Sequence, residues 1–170
     1  MENDIAPLVK QLEKLRDRED RAALARLRRG LGKRLGTPQM YPYVIPWVKN
    51  DRGTIERGIL VASLFALHPD PAPRGRSMGT VFREMWDGSN QDSLERRFAG
   101  LLSSPEEDIG GHLRHAISLA KSKNICVDYD TLLKDLRSWS HPERYVQLRW
   151  ARDFWTQASE TEPQVKTQGE

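Results

Sequence analysis

The stretch TIERGILVASLFAL, residues 54–67, is apolar on nearly every side. A helix that is hydrophobic all round belongs in an interior, so this segment reads as the buried central helix of the first half of an all-α chain. Upstream of it, Leu8, Leu12 and Leu15 keep helical spacing. Asp20 is placed to cap a following helix in which Leu24, Leu27, Leu31 and Leu35 recur at three- and four-residue steps. Downstream, PDPAPRGR at 69–76 brings three prolines and a glycine together. That composition removes helix donors and favours an extended, solvated link. Beyond the link, SPEE at 104–107 has the form of a helix start: a serine cap, a proline at the first position and a capping-box glutamate. Leu113, Ile117 and Ala120 continue that helix. Asp128 is placed to cap a run with Leu132, Leu133 and Leu136, and SHPE at 140–143 to open a last helix carrying Val146, Trp150 and Phe154. Alternation of the β type is nearly absent; Asn124 to Val127 is too short to count.

These elements predict two small helical bundles joined by a Pro-rich linker, with about eight or nine helices. The expected division is an N-terminal helical domain at 1–68, a linker at 69–78, a C-terminal helical domain at 79–158 and a disordered tail at 159–170. The 170 residues suit one ordinary domain or two small ones. A hydrophobic content of 38%, a charged content of 30% and a mean hydropathy of -0.68 describe a soluble protein with a modest core. No stretch approaches the roughly 18 consecutive apolar residues that cross a bilayer, and MENDIAPLVKQ lacks the basic start and apolar run of a signal peptide. Cys126, the single cysteine, suits a reducing compartment. A cytoplasmic location is expected.

Charge is unevenly spread. Residues 1–68 hold 13 Lys/Arg against 8 Asp/Glu, whereas residues 69–158 hold 13 of each. Within the first half, Arg21 to Arg34 contains six bases and no acid. With the leucine stripe on one side of that helix, Arg26, Arg29 and Lys33 fall near the opposite side. Arg21 and Arg28 border the stripe on one flank and Arg34 on the other. Such a face attracts phosphates through counterion release with little sequence preference. An ordinary solvated face, paired by acids such as Glu13 or Asp17, is the alternative. A looser group follows: Arg74 and Arg76 in the Pro-rich segment, Arg137 and Arg144 around the turn at Ser140, and Arg149 and Arg152 beyond. Asp135, Glu143 and Asp153 lie close enough in sequence to neutralise several of them.

Trp139, Trp150 and Trp155 keep helical spacing among Leu136, Val146 and Phe154, which reads as core packing rather than a stacking platform. Trp47 reads as core or a domain seam. His112 and His115 form an HxxH pair with no third ligand in sequence to complete a metal site. No phosphate-binding glycine loop and no nucleophile elbow is present. No catalytic residue, metal site or cofactor is therefore expected.

The order of segments resembles a known family. ALARLRRGL, YPYVIPWV and GILVASLFAL resemble the first half of the CasB family; SLERRFAGLL, HLRHAISLA, DYDTLLKDLRSW and WARDFW resemble its second half, over about residues 8–156. CasB is the small subunit of the type I-E CRISPR surveillance complex, Cascade. The resemblance implies an all-helical, non-catalytic protein without cofactor. Two copies would pack head to tail against the backbone subunits that hold the CRISPR RNA, with the large subunit as a further partner. It implies stabilisation of the R-loop, with the target strand supported and the displaced strand held. Carried over by position, the family's basic sites fall on Arg28 and Arg29, on Arg52 before the central helix, on Arg74 and Arg76, and on Arg137 and Arg144. Each would contact phosphate rather than read bases. A helical adaptor that binds only protein is the competing reading. A helix-turn-helix regulator ranks below both, because no tight turn followed by a polar recognition helix stands out.

Overall fold

Asp51 accepts a hydrogen bond from the Thr54 amide at 2.9 Å, and from this cap the central segment runs as one helix, Arg52–Leu67. The computed structural model describes residues 5–156. Among them the chain is all-α. Its helices are α1 (Pro7–Asp17), α2 (Arg21–Arg28), α3 (Tyr41–Val44), α4 (Arg52–Leu67), α5 (Met78–Glu84), α6 (Gln91–Ser103), α7 (Ile109–Ser122), α8 (Tyr129–Arg137) and α9 (Tyr145–Trp155). Two short 3-10 turns, Pro38–Met40 and Ile45–Trp47, flank α3. The expected tail at 159–170 lies outside the described residues.

The central helix is buried as its sequence requires: Ile59 and every residue from Val61 to Ala66 lie in the core. It packs against α1, α2 and α3 on one side and against α7 and α8 on the other. Leu8, Leu12 and Leu15 seal α1 onto it. Asp20 caps α2 as its position implies, accepting from the Ala23 amide at 3.0 Å. In the second half α5 lies closely against α9, and Phe98 of α6 stacks between them. Its ring centroid is 4.7 Å from both Phe82 and Phe154. Trp150 is fully buried and donates its indole N–H to Asp135 at 2.7 Å. Without that acceptor the indole would carry an unsatisfied donor into the core.

The Pro-rich segment is largely exposed, as its composition implies, and is also tied to the helices beside it. Asp128, buried at the start of α8, caps that helix and also accepts from the Gly75 amide at 2.7 Å. Arg74 donates to Glu13 at 2.6 Å and reaches Asp128 at 3.4 Å. Arg76 donates to both oxygens of Glu84, at 2.6 and 2.7 Å, and to the Cys126 carbonyl at 3.2 Å. The prolines remove donors, and the two arginines that follow them pair with Glu13, Asp128 and Glu84, which fastens the end of the segment to α1, α5 and the start of α8. The Tyr129 hydroxyl lies 2.7 Å from the His68 carbonyl and 3.0 Å from that of Leu64, joining α8 to the end of α4. Burial pushes its phenol well above the ordinary value.

Four local expectations are corrected. The leucine-striped helix stops at Arg28, because Gly32 and Gly36 take positive φ (75° and 60°) and Pro38 follows. Leu35 is 44% exposed rather than packed. Ser104 closes α6 by donating to the Leu101 carbonyl at 2.9 Å instead of capping a new helix, and α7 starts at Ile109. The last helix starts at Tyr145, since Ser140 donates to Glu106 at 2.6 Å and Arg144 adopts a left-handed φ of 50°. Trp47 and Trp155 are each 39% exposed, whereas Trp139 and Trp150 are core.

Candidate nucleic-acid interface

Where α2 ends, the chain turns sharply over α4. A Cβ on Gly30 would stand 2.5 Å from the Met40 sulfur and 2.8 Å from the Ser63 hydroxyl, so only glycine allows this approach. The turn leaves Arg28, Arg29 and Lys33 exposed. Among the described residues none of the three side chains has a hydrogen bond or an ion pair, and that of Arg21 beside them has none either. Arg26 is also exposed but donates to the Tyr43 hydroxyl at 2.7 Å, which fixes its guanidinium against α3. The basic cluster expected from the sequence is therefore present, but on a helix end and a turn rather than on one helical face.

The turn forms one wall of a groove of about 680 Å³ between the two halves of the chain. Lys33 and Arg34 come from the turn, Arg52 and Arg57 from α4, and Arg114 from α7. Glu56 accepts from Arg52 at 2.8 Å and from Arg34 at 3.0 Å. The Arg52 guanidinium, with help from Arg34, holds the Glu56 carboxyl below its ordinary value. Glu106 accepts from Arg57 at 2.9 Å and from Ser140. Arg57 keeps its Nε buried and unpartnered. Arg114 reaches across to the turn, its Nη1 3.6 Å from where a Cβ on Gly32 would stand, and has no acid partner among the described residues. Leu31, Leu60, Ile109 and Leu136 give the groove an apolar lining beneath these charges.

The remaining expected residues lie elsewhere. Arg52 joins the groove, as described. Arg74 and Arg76 are committed to Glu13, Asp128 and Glu84. Burial alone would lower the proton affinity of Arg74, and the two acids more than offset it; the Glu84 carboxylate holds Arg76 above its ordinary value. Arg137 is exposed at the end of α8 with no partner among the described residues. Arg144 donates to the Leu102 carbonyl at 2.5 Å, fastening α9 to α6. Arg149 pairs with Asp135. His112 and His115 are both exposed, and His115 lines the groove.

Sequence reasoning missed Arg57 and Arg114 as members of the site. Arg57 sits inside an apolar helix and Arg114 between two histidines, so neither belongs to a basic run. Only the packing of α7 across α4 brings them together.

Residues 23–155 match the family described as CRISPR-associated protein Cse2. A CRISPR-associated protein Cse2 of Thermus thermophilus is 37% identical over 149 residues, covering 85% of either chain. The crystal structure of CasB from Thermus thermophilus superposes with a TM-score of 0.76 at 32% identity, over 88% of this chain and 96% of that one. A chain of a CRISPR RNA-guided surveillance complex gives a TM-score of 0.75 at 29% identity, over 91% and 95% of the two chains.

Proposed function

This chain belongs to the Cse2 family, whose solved members include CasB and which supplies a subunit of the CRISPR surveillance complex Cascade, and from that premise we propose that it acts as a non-catalytic small subunit that grips nucleic-acid backbone, stabilises the R-loop and holds the displaced non-target strand. The observation that carries this reading is the set Arg28, Arg29 and Lys33, exposed and without acid partners among the described residues, beside a groove lined by Lys33 itself and four further arginines. Unpaired surface cations contribute little to folding. They are available for phosphates, which they bind by releasing condensed counterions and without reading sequence. That suits a complex in which base pairing with the guide reads the sequence and the protein supports the strands. Arg52 and Arg137 are proposed as further phosphate contacts on the same grounds of exposure.

Contacts with the large subunit, the backbone subunits and a second copy would use the exposed apolar residues. Ile45 and Trp47 are 39% exposed in the first half; Tyr145, Leu148 and Trp155 are 43%, 65% and 39% exposed along α9. These patches also give the adaptor reading its one support. No helix among the described residues is long and apolar enough to cross a membrane, and we place the complex in the cytoplasm.

Binding of the purified chain to a labelled single strand, followed by fluorescence anisotropy across a salt series, tests the reading. The triple variant Arg28→Ala/Arg29→Ala/Lys33→Ala should lower the slope of log K against log salt by about 2, since each phosphate contact on a single strand contributes about 0.7. An unchanged slope and affinity would transfer the function to the apolar patches.

A further inference from the structure

The groove differs from the surrounding basic surface in having an apolar floor. Leu31 and Leu60, both only partly buried, line it together with the buried Ile109 and Leu136 and with Arg34, Arg52 and Arg114. Its volume of about 680 Å³ falls within the roughly 300–1,000 Å³ of pockets that enclose small organic ligands. A surface that only tracks phosphates needs charge and no cavity. We propose that this groove seats one or two nucleotides of a single strand, with the base turned inward onto the aliphatic floor and the flanking phosphates on the cationic rim. This rests on the nucleic-acid reading above and adds to it a seat for the base.

The chemistry favours a single strand over a duplex. In a duplex the base faces are stacked and only their edges are presented, so an apolar floor has nothing to cover. An unstacked base offers a flat apolar face, and packing it is tolerant of sequence. Arg34 and Arg52 each approach Glu56 through Nε, at 3.0 and 2.8 Å, and with side chains 66% and 71% exposed their guanidinium groups remain open to a phosphate while the carboxylate fixes their direction. The opposite wall is the first turn of α7, which no side chain caps. Gly110 and Gly111 line it with backbone alone, which leaves that wall open to a flanking nucleotide.

Gly111 gives a clean test, because a Cβ there meets nothing within 4 Å and a side chain in the first turn of a helix is tolerated. Gly111→Glu places a negative charge in the groove at a position where the helix itself is stabilised by an acid; Gly111→Gln fills similar space without charge. Circular dichroism melts verify that both variants fold. Anisotropy with a labelled oligothymidylate and with a duplex of mixed sequence is then compared for wild type, both Gly111 variants and Arg28→Ala/Arg29→Ala. The seat predicts that both Gly111 variants weaken the single strand by about tenfold or more, the order of one lost base contact, while duplex binding changes little. It predicts that the arginine variant weakens single strand and duplex alike. If Gly111→Glu weakens both ligands equally and Gly111→Gln neither, the groove acts through charge only and the seat is overturned. If neither Gly111 variant affects DNA but both prevent joining to partner subunits, the groove holds an acidic protein segment and the seat is equally overturned. In either case a loss of binding in Arg28→Ala/Arg29→Ala leaves the broader reading intact.

Discussion

Arg76→Ala and Arg28→Ala/Arg29→Ala remove residues that look alike in the sequence and that the structure puts to opposite uses. Arg76 has a side chain 17% exposed and bonds Glu84 twice and the Cys126 carbonyl once. A hydrogen bond to a charged group contributes about 1.5–3 kcal/mol when well buried. Glu84 is 44% exposed, however, and regains water when its partner leaves, so the pair itself sits near the ~1 kcal/mol of surface ion pairs. Adding the lost bond to Cys126 gives a cost of about 1–2 kcal/mol, or a fall in Tm of roughly 2–8 °C for a chain of this length. Arg28 and Arg29 have no side-chain partner to lose among the described residues, and their removal should change stability by no more than about 0.5 kcal/mol. Binding should show the reverse. The arginine pair should lower the salt slope for a single strand by about 1.4, and Arg76→Ala should leave it unchanged at a temperature where the variant is folded. Calorimetry and anisotropy on the same preparations would decide it. A variant of Arg76 that keeps its Tm but loses affinity would refute the division of labour drawn from the hydrogen bonds.

Gly79→Ala should destabilise the protein by about 1–3 kcal/mol through overpacking, because the new Cβ would stand 2.8 Å from the Trp150 carbonyl carbon where α5 meets α9; a thermal melt that matched wild type would contradict that packing. Asp128→Ala should cost about 1–3 kcal/mol in urea unfolding, the sum of a lost N-cap and the lost hydrogen bond to the exposed Gly75 amide, with Asp128→Asn falling between it and wild type. The carboxyl of Glu56 is depressed by Arg52 and Arg34, and that of Asp87 by Lys123. The unfolded state therefore binds more protons in the acid range, so their contribution is present above the ordinary carboxylate values near 4. It is lost as pH falls through the depressed ones. Melts from neutral pH to about pH 3 should show that acid loss, and Glu56→Gln should reduce it.

Much of the fold is legible in the sequence because it depends on local chemistry. Asp20 and Asp128 announce their helices by side-chain capping, and the burial of Gly58, Ile59 and Val61 to Ala66 follows from a run whose one polar residue is Ser63. What is not legible depends on contacts distant along the chain. Leu31 and Leu35 continue the stripe on paper, yet the helix ends at Arg28 and the chain turns away through the positive φ of Gly32 and Gly36, with Gly30 close to Met40 and Ser63. The sequence SPEE carries a helix-start pattern, but Ser104 and Glu106 are drawn instead to Leu101 and to Arg57 with Ser140. The same holds for the site. The basic excess around Arg29 is a property of composition and is visible at once. Which arginines are free and which are tied depends on where Glu13, Glu84 and Asp128 come to lie, and Arg114 joins the groove only through the crossing of α7 over α4.

The most direct measurement is the lifetime of an R-loop formed by partner Cascade subunits and guide, assembled without this chain, with it, and with Arg28→Ala/Arg29→Ala/Lys33→Ala. A long-lived R-loop with the wild-type chain, its loss without the chain and an intermediate lifetime with the variant are the predicted results. Equal lifetimes in all three assemblies would contradict the account.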